Sequence, residues 1–265
     1  MKPLLALLIV LLALPVQAET VKARHVTVEL LAEQAAVVAG EPFWVQLAFR
    51  PQAGWHNYWK NPGDSGLAPR LEWQLPSGWQ VEEPLYPTPE AIPYGSQMNY
   101  GYSRPSALLI RLLPPATLTD ATVTLQLDVR WLVCADACVP GEGQFQLSLP
   151  VAERPQPDPD QQQAFASARA RLPVALNTVG HYSAHPDYLL LQLPLEGLPG
   201  GPLQPFVAPG QLVDPSAEPV LGRSGSQLTI RWPRHTYFTE APAQIDVVLR
   251  QAGKGWLIPA TLQIP

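Results

Sequence analysis

Apolar and polar side chains alternate with a period of two along most of this chain. The pattern is plain in Val26-Thr27-Val28-Glu29-Leu30 and in Phe43-Trp44-Val45-Gln46-Leu47-Ala48-Phe49, with Ala39-Gly40-Glu41-Pro42 between them. A period of two sends successive side chains to opposite faces, so each segment is expected as a half-buried strand. The same reasoning predicts strands at 71–75, 107–113, 123–132 and 144–149. Asn61-Pro62-Gly63-Asp64 and Pro76-Ser77-Gly78 read as turns among them. Short strands at this spacing predict an antiparallel sandwich.

The alternation then stops. Glu153-Arg154-Pro155-Gln156-Pro157-Asp158-Pro159-Asp160 is dense in proline and charge and is expected to form a linker rather than more sheet. Residues 161–172, with alanine at 164, 166, 168 and 170, are the one stretch of helical composition. Asp160 is the expected N-cap and Pro173 the stop. Alternation resumes at 188–193, 227–232, 245–250 and 257–264, which predicts a second β unit. The expected architecture is therefore all-β: two immunoglobulin-like β-sandwich domains, at 19–152 and 176–265, joined at 153–175 by a Pro-rich linker and short helix.

Composition adds the compartment. Lys2, the apolar run 4–14 and Val16-Gln17-Ala18 have the layout of a secretory signal peptide over residues 1–18. The run falls short of the roughly 20 residues a transmembrane helix needs, and no later segment is long and apolar enough, so no membrane span is expected in the mature chain. No cysteine precedes Cys134, which argues against a lipid anchor at the cut site. The formal charge is −5, or −6 once Lys2 is removed, without basic runs, which excludes phosphate-backbone recognition and hence nucleic acid as a partner. Charged residues make up only 15% of the chain and prolines number 32, as suits strands and rigid connections.

The chain has two cysteines, Cys134 and Cys138, in Trp131-Leu132-Val133-Cys134-Ala135-Asp136-Ala137-Cys138-Val139-Pro140. In an oxidising compartment they are expected to pair. Spacing leaves three readings open: a structural staple, a redox centre, or two free or metal-binding thiols. As a staple, a loop of about five residues is worth roughly 2 kcal/mol, less than a long-range bridge. As a redox centre the pair has strand-like flanks, so no helix N-terminus is expected to lower a thiol pKa, and Asp136 between the thiols disfavours a thiolate.

A wider set of motifs bears on the choice. Gly54-Trp55-His56-Asn57-Tyr58-Trp59-Lys60-Asn61-Pro62-Gly63-Asp64-Ser65-Gly66, then Tyr94-Gly95, Asn99-Tyr100-Gly101-Tyr102, and the cysteine segment resemble the amino-terminal periplasmic domain of the DsbD disulfide reductase family, including its copper-sensitivity suppressor relative ScsB. The resemblance covers roughly residues 25–150 and extends weakly beyond. It implies an immunoglobulin-like domain that exchanges disulfides in the periplasm. Electrons would come from a membrane-embedded thiol reductase and pass to periplasmic thioredoxin-like proteins, with no cofactor. By position, Cys138 would attack the target disulfide and Cys134 would resolve the intermediate. The better-known domain has a wider cysteine spacing and a cap loop with two acids and an aromatic residue. Here the corresponding segment reads Glu90-Ala91-Ile92-Pro93-Tyr94-Gly95, so Tyr94 or Pro93 is expected to shield the sulfurs. Full-length members continue into a membrane domain, whereas this sequence ends at Pro265, so the donor is expected to be a separate protein. The resemblance also raises a link to copper tolerance. A docking module with a structural disulfide is the competing reading.

Other groups carry less. His56 is a candidate for the redox face or a packed histidine. His181 and His185 lie in a stretch where helical metal spacing does not apply, and Met98 with scattered histidines is a weak soft-metal set, so no metal site is expected. Asp64-Ser65-Gly66 lacks a nucleophile-elbow setting; Asp64 is expected to order its turn.

Overall fold

The computed structural model describes residues 19–263, so the expected signal peptide at 1–18 lies outside the described residues. A five-stranded sheet runs in the order Glu19–Ala23, Val26–Ala32, Phe43–Pro51, Ser106–Leu113, Gln80–Val81. A three-stranded sheet, Cys138–Pro150, Thr122–Cys134 and Arg70–Gln74, packs across it. The alternation explains the packing: Val28, Leu30, Val45, Leu47 and Ile110 from one sheet meet Leu125, Leu127, Val129, Phe145 and Leu147 from the other in one core.

Thr122–Cys134 and Cys138–Pro150 pair residue for residue, from Thr122 opposite Pro150 to Cys134 opposite Cys138. This hairpin extends well past the strands expected at 123–132 and 144–149. Its second arm near the tip, Val139-Pro140-Gly141-Glu142-Gly143, lacks buried apolar residues, so the ladder rather than the hydrophobic pattern holds it. Pro140 is tolerated because this is an edge strand of its sheet.

A third small sheet, Glu90–Tyr94, Gln97–Tyr102 and Asn57–Gly63, stands beside the hairpin tip. Here the structure corrects the turn expected at Asn61-Pro62-Gly63. The strand continues through these residues, with an irregular register between Tyr58 and Gly63. Gly63 has φ +86°, and a Cβ there would lie 2.3 Å from the Met98 carbonyl oxygen, so the residue must be glycine for the strands to approach.

The Pro-rich segment is not free of sheet either: Gln156–Pro157 pairs with Gln34–Ala36, a two-residue contact that a proline at an edge permits. The helix spans Gln162–Arg169, and its N-cap is Gln161, without a side-chain cap bond, rather than Asp160. Phe165 and Ala168 are buried against Leu31 and Leu109, and Arg169 grips Glu33 through two bonds of 2.6 and 2.7 Å. The connection is therefore fastened to the five-stranded sheet.

The remaining strands form one hydrogen-bonded path. They run in the order Gln204–Ala208, Gln244–Gln251, Lys254–Leu262, Gly180–Ala184, Tyr188–Pro194, Gln227–Pro233, Val220–Ser224. Gly180–Ala184 pairs with Lys254–Leu262 in parallel. Val174–Ala175 also pairs in parallel with Lys254–Leu262, so the sheet has eight strands. A separate aromatic core of Trp59, Tyr100, Tyr102, Phe206, Ala208 and Val248 draws on both halves of the chain.

Candidate redox site

Cys134 and Cys138 are opposite residues closing the hairpin, with Ala135-Asp136-Ala137 as the connection, and they form a disulfide with Cα atoms 4.1 Å apart. Both are strand residues, and neither begins a helix. Their environments differ sharply. Cys134 is 1% exposed, whereas Cys138 is open to solvent. Cys134 is also clamped by its backbone: the His56 N–H donates to the Cys134 carbonyl at 2.9 Å, and the Cys134 N–H donates to the His56 carbonyl at 3.0 Å.

The strand Asn57–Gly63 and His56 just before it set two further side chains beside the disulfide hairpin. His56 and Tyr58, two residues apart, share a face. His56 Nε2 and the Tyr58 hydroxyl are 3.2 Å apart, and that hydroxyl is 4.0 Å from Cys138 Sγ. Burial lowers the His56 pKa, partly opposed by Glu90, so the imidazole is neutral at neutral pH. Burial, with the Tyr94 phenol adding to it, pushes Tyr58 up to about 12, which keeps its hydroxyl protonated. Gly66 leaves room for that ring: it has φ +88°, and a Cβ there would come within 2.1 Å of a Tyr58 ring carbon.

The hairpin Glu90–Tyr94 and Gln97–Tyr102 turns at Gly95-Ser96, with Gly95 at φ +60°. Tyr94 crosses from it to the disulfide loop, donating its hydroxyl to the Asp136 carbonyl at 2.8 Å. Pro93 is exposed and pairs with Met98 across the hairpin, so Tyr94 alone of the two bonds to the loop. Asp136 is exposed and takes part through its backbone. The structure thus gathers Cys134, Cys138, His56, Tyr94 and the Asp136 backbone.

Sequence reasoning does not single out Tyr58. Its signal is nevertheless there: a tyrosine two residues from His56 within an aromatic strand must share that histidine's face. Among the other candidates, Asp64 accepts the Met98 N–H at 2.7 Å, and Met98 packs against the aromatic core. His181 meets the Thr261 hydroxyl and His185 that of Ser183.

The geometry agrees with the sequence comparisons. The family model for the N-terminal region of the thiol:disulfide interchange protein DsbD matches residues 27–150. Residues 27–150 belong to the DsbD amino-terminal family. The matched segment holds the disulfide, its histidine and tyrosine neighbours, and the hairpin that carries Tyr94. The crystal structure of the N-terminal periplasmic domain of ScsB from Proteus mirabilis aligns with 93% of this chain and 98% of its own, at 18% identity and a TM-score of 0.68. At that identity it speaks for the fold, and it does so across both halves of the molecule. A chimeric titin Z1Z2 and a marsupial T cell receptor align over 95% and 93% of the chain, and over 99% and 96% of their own, at 11% and 13% identity. Their TM-scores are 0.21, too low to carry weight. No curated protein sequence matches the chain. The family match supports a thiol–disulfide exchange module, and Cys134 and Cys138 stand at disulfide distance within it.

Proposed function

We propose that this protein is a periplasmic relay that takes electrons from a membrane-embedded thiol reductase and passes them to thioredoxin-like proteins through Cys134 and Cys138. The observation that carries the reading is the unequal exposure of the two sulfurs. An incoming thiolate can reach only an open sulfur, and Cys138 is that sulfur.

In the reducing half, a donor thiolate attacks Cys138 Sγ. A mixed disulfide forms, the Cys134–Cys138 bond breaks, and Cys134 leaves as a thiolate. The donor's second thiolate then releases Cys138, so two electrons have moved and two protons are taken up. In the forward half, the Cys138 thiolate attacks an acceptor disulfide, and Cys134 resolves the mixed intermediate to restore its own bond. With His56 Nε2–H donating to the Tyr58 oxygen, the Tyr58 hydrogen is free to support the Cys138 thiolate. Tyr94 covers the loop until a partner displaces it. A periplasmic setting accords with the expected signal peptide and with the periplasmic location of the ScsB domain from Proteus mirabilis.

The test is partner trapping with single-cysteine variants. Cys134→Ala is expected to accumulate mixed disulfides with thioredoxin-like proteins through Cys138, and Cys138→Ala is not. Trapping by Cys138→Ala alone reverses the roles. A redox titration separates the relay from a structural bridge: a relay equilibrates at about −180 to −270 mV, and a structural bridge lies below about −300 mV.

A further inference from the structure

His56, Tyr58 and Cys138 form an unbroken row of groups that can each give or take a hydrogen. His56 Nε2 lies 3.2 Å from the Tyr58 hydroxyl, and that hydroxyl lies 4.0 Å from Cys138 Sγ. Both contacts are reversible: an imidazole nitrogen donates or accepts according to its tautomer, and a phenol or a thiol does either. The row also runs from the interior to the surface. His56 and Tyr58 are 5% and 1% exposed, whereas Cys138 is open to solvent.

The surroundings make His56 the base at the buried end. Among the described residues, the Tyr58 hydroxyl has two side-chain partners, Cys138 and His56. Burial keeps Tyr58 protonated, so it passes a hydrogen along without losing its own. Tyr94, the second phenol nearby, is engaged with the Asp136 carbonyl, and the Asp136 side chain is exposed on the disulfide loop. Glu90, on the neighbouring hairpin, favours the imidazolium through its charge, while its carboxylate is bonded to Ser103. His25 stacks on Trp55, with ring centres 3.7 Å apart, and meets Gln52. Burial lowers the His56 pKa, which leaves a neutral ring able to accept a proton.

We infer that His56 is a positioning residue for exchange, which acts through Tyr58 as the acceptor of the Cys138 thiol proton. Reduction leaves Cys138 as S–H. That bond breaks as its proton passes to the Tyr58 oxygen, and the Tyr58 O–H bond breaks as its hydrogen passes to His56 Nε2. The products are a Cys138 thiolate, an intact phenol and an imidazolium, with no change of oxidation state. Nε2–H now donates to the phenol oxygen and the phenol hydrogen to the sulfur. The opposite charges at the two ends of the row stabilise each other. When the thiolate attacks an acceptor disulfide, the sulfur that leaves takes up a proton and His56 gives one up. The inference rests on the relay reading above, because it takes Cys138 as the attacking sulfur.

The test is the pH dependence of Cys138 alkylation by iodoacetamide in Cys134→Ala, where Cys138 is the only thiol. A thiol that ionises alone loses reactivity tenfold per pH unit below its pKa, because only the thiolate attacks. A thiol that hands its proton to His56 keeps a constant share of thiolate while the imidazole is neutral. Its log rate is therefore expected to level off between about pH 6 and 7.

His56→Gln keeps a side chain that can donate to the Tyr58 oxygen but takes up no proton. It is expected to show the tenfold-per-unit slope and to react about 5-fold more slowly than the parent at about pH 6. The two rates should agree at about pH 9, where Cys138 is already a thiolate. Tyr58→Phe interrupts the row and should give the same slope, and adding His56→Gln to it should change nothing further. A parent curve without the level region would overturn the inference. So would a level region that survives in His56→Gln, since His56 would then only pack against the phenol or orient it. If Cys138 in the folded parent fails to react at about pH 9 while the urea-unfolded chain reacts, the sulfur is closed to partners and the relay reading fails instead, so the two failures are distinguishable.

Discussion

At the residue scale, the site sets an exposed sulfur beside a buried phenol. A tyrosine buried in this way stays protonated throughout the physiological range, since its pKa is pushed up to about 12. It therefore remains a donor when Cys138 becomes a thiolate, and its 4.0 Å separation from Sγ is at the outer reach of a hydrogen bond to sulfur. Neither cysteine begins a helix that could supply the stabilisation other exchange proteins use, and the Tyr58 hydroxyl lies within reach of Cys138 Sγ. Tyr58→Phe keeps the ring that packs on Gly66 and removes only the hydroxyl. A hydrogen bond of this kind is worth about 1 kcal/mol, so the variant is expected to react roughly 5-fold more slowly at neutral pH. Its pH–rate curve for Cys138 alkylation, measured in a Cys134→Ala background, should shift to higher pH. A superimposable curve would show that the hydroxyl is structural.

At the element scale, the hairpin carries the disulfide without relying on it. Thirteen opposed pairs run from its base to the cysteines, and its inward residues belong to the main core. The bridge closes a loop of about five residues, worth roughly 2 kcal/mol in the unfolded-chain model. Reduction is therefore expected to lower unfolding stability by about 2 kcal/mol and to leave the domain folded, as urea denaturation with and without reductant would show. A domain that unfolds on reduction would place the bridge among structural disulfides.

The same hairpin shows what was legible in the sequence. Strands with clean alternation, such as Val26–Ala32 and Phe43–Pro51, could be read from their buried faces. The stretch from Cys138 to Gly143 could not, because its pairing is fixed by backbone bonds to Thr122–Cys134 while Val139 is its one apolar side chain packed against the core. Asn61-Pro62-Gly63 was misleading for a related reason. Turn chemistry there serves a close strand crossing at Met98, which only the tertiary fold reveals. The cysteines and Tyr94 could be found from motif and resemblance, whereas the His56–Tyr58 pair needed the strand's orientation.

At the scale of the whole molecule, the second half of the chain bears directly on the strand that serves the disulfide. In Asn57–Gly63, Tyr58 faces Cys138 while Trp59 enters a core with Tyr100, Phe206 and Val248. Asn61 donates to the Val207 carbonyl at 2.7 Å, and Lys60 pairs with Asp246 at 2.5 Å. Strand Lys254–Leu262 approaches Thr88 so closely that a Cβ on Gly255 would lie 2.2 Å from its hydroxyl oxygen. These contacts differ greatly in weight. Both partners of the Lys60–Asp246 pair are about one-third exposed, so screening leaves it worth about 1 kcal/mol at most. Phe206 is fully buried, with its ring centre 6.1 Å from that of Trp59 and 5.0 Å from that of Tyr100, and truncating such a side chain costs about 3–5 kcal/mol. Asp246→Asn is therefore expected to leave both stability and Cys138 reactivity near the parent values. Phe206→Ala should lower the denaturation midpoint strongly and also change the rate at which Cys138, more than one strand away, reacts with a small disulfide. The rate matters more than the midpoint. A variant that loses stability but keeps the parent's Cys138 rate would mean that the second half only shields an apolar face. A change in both would mean that it holds Tyr58 in place beneath the sulfur.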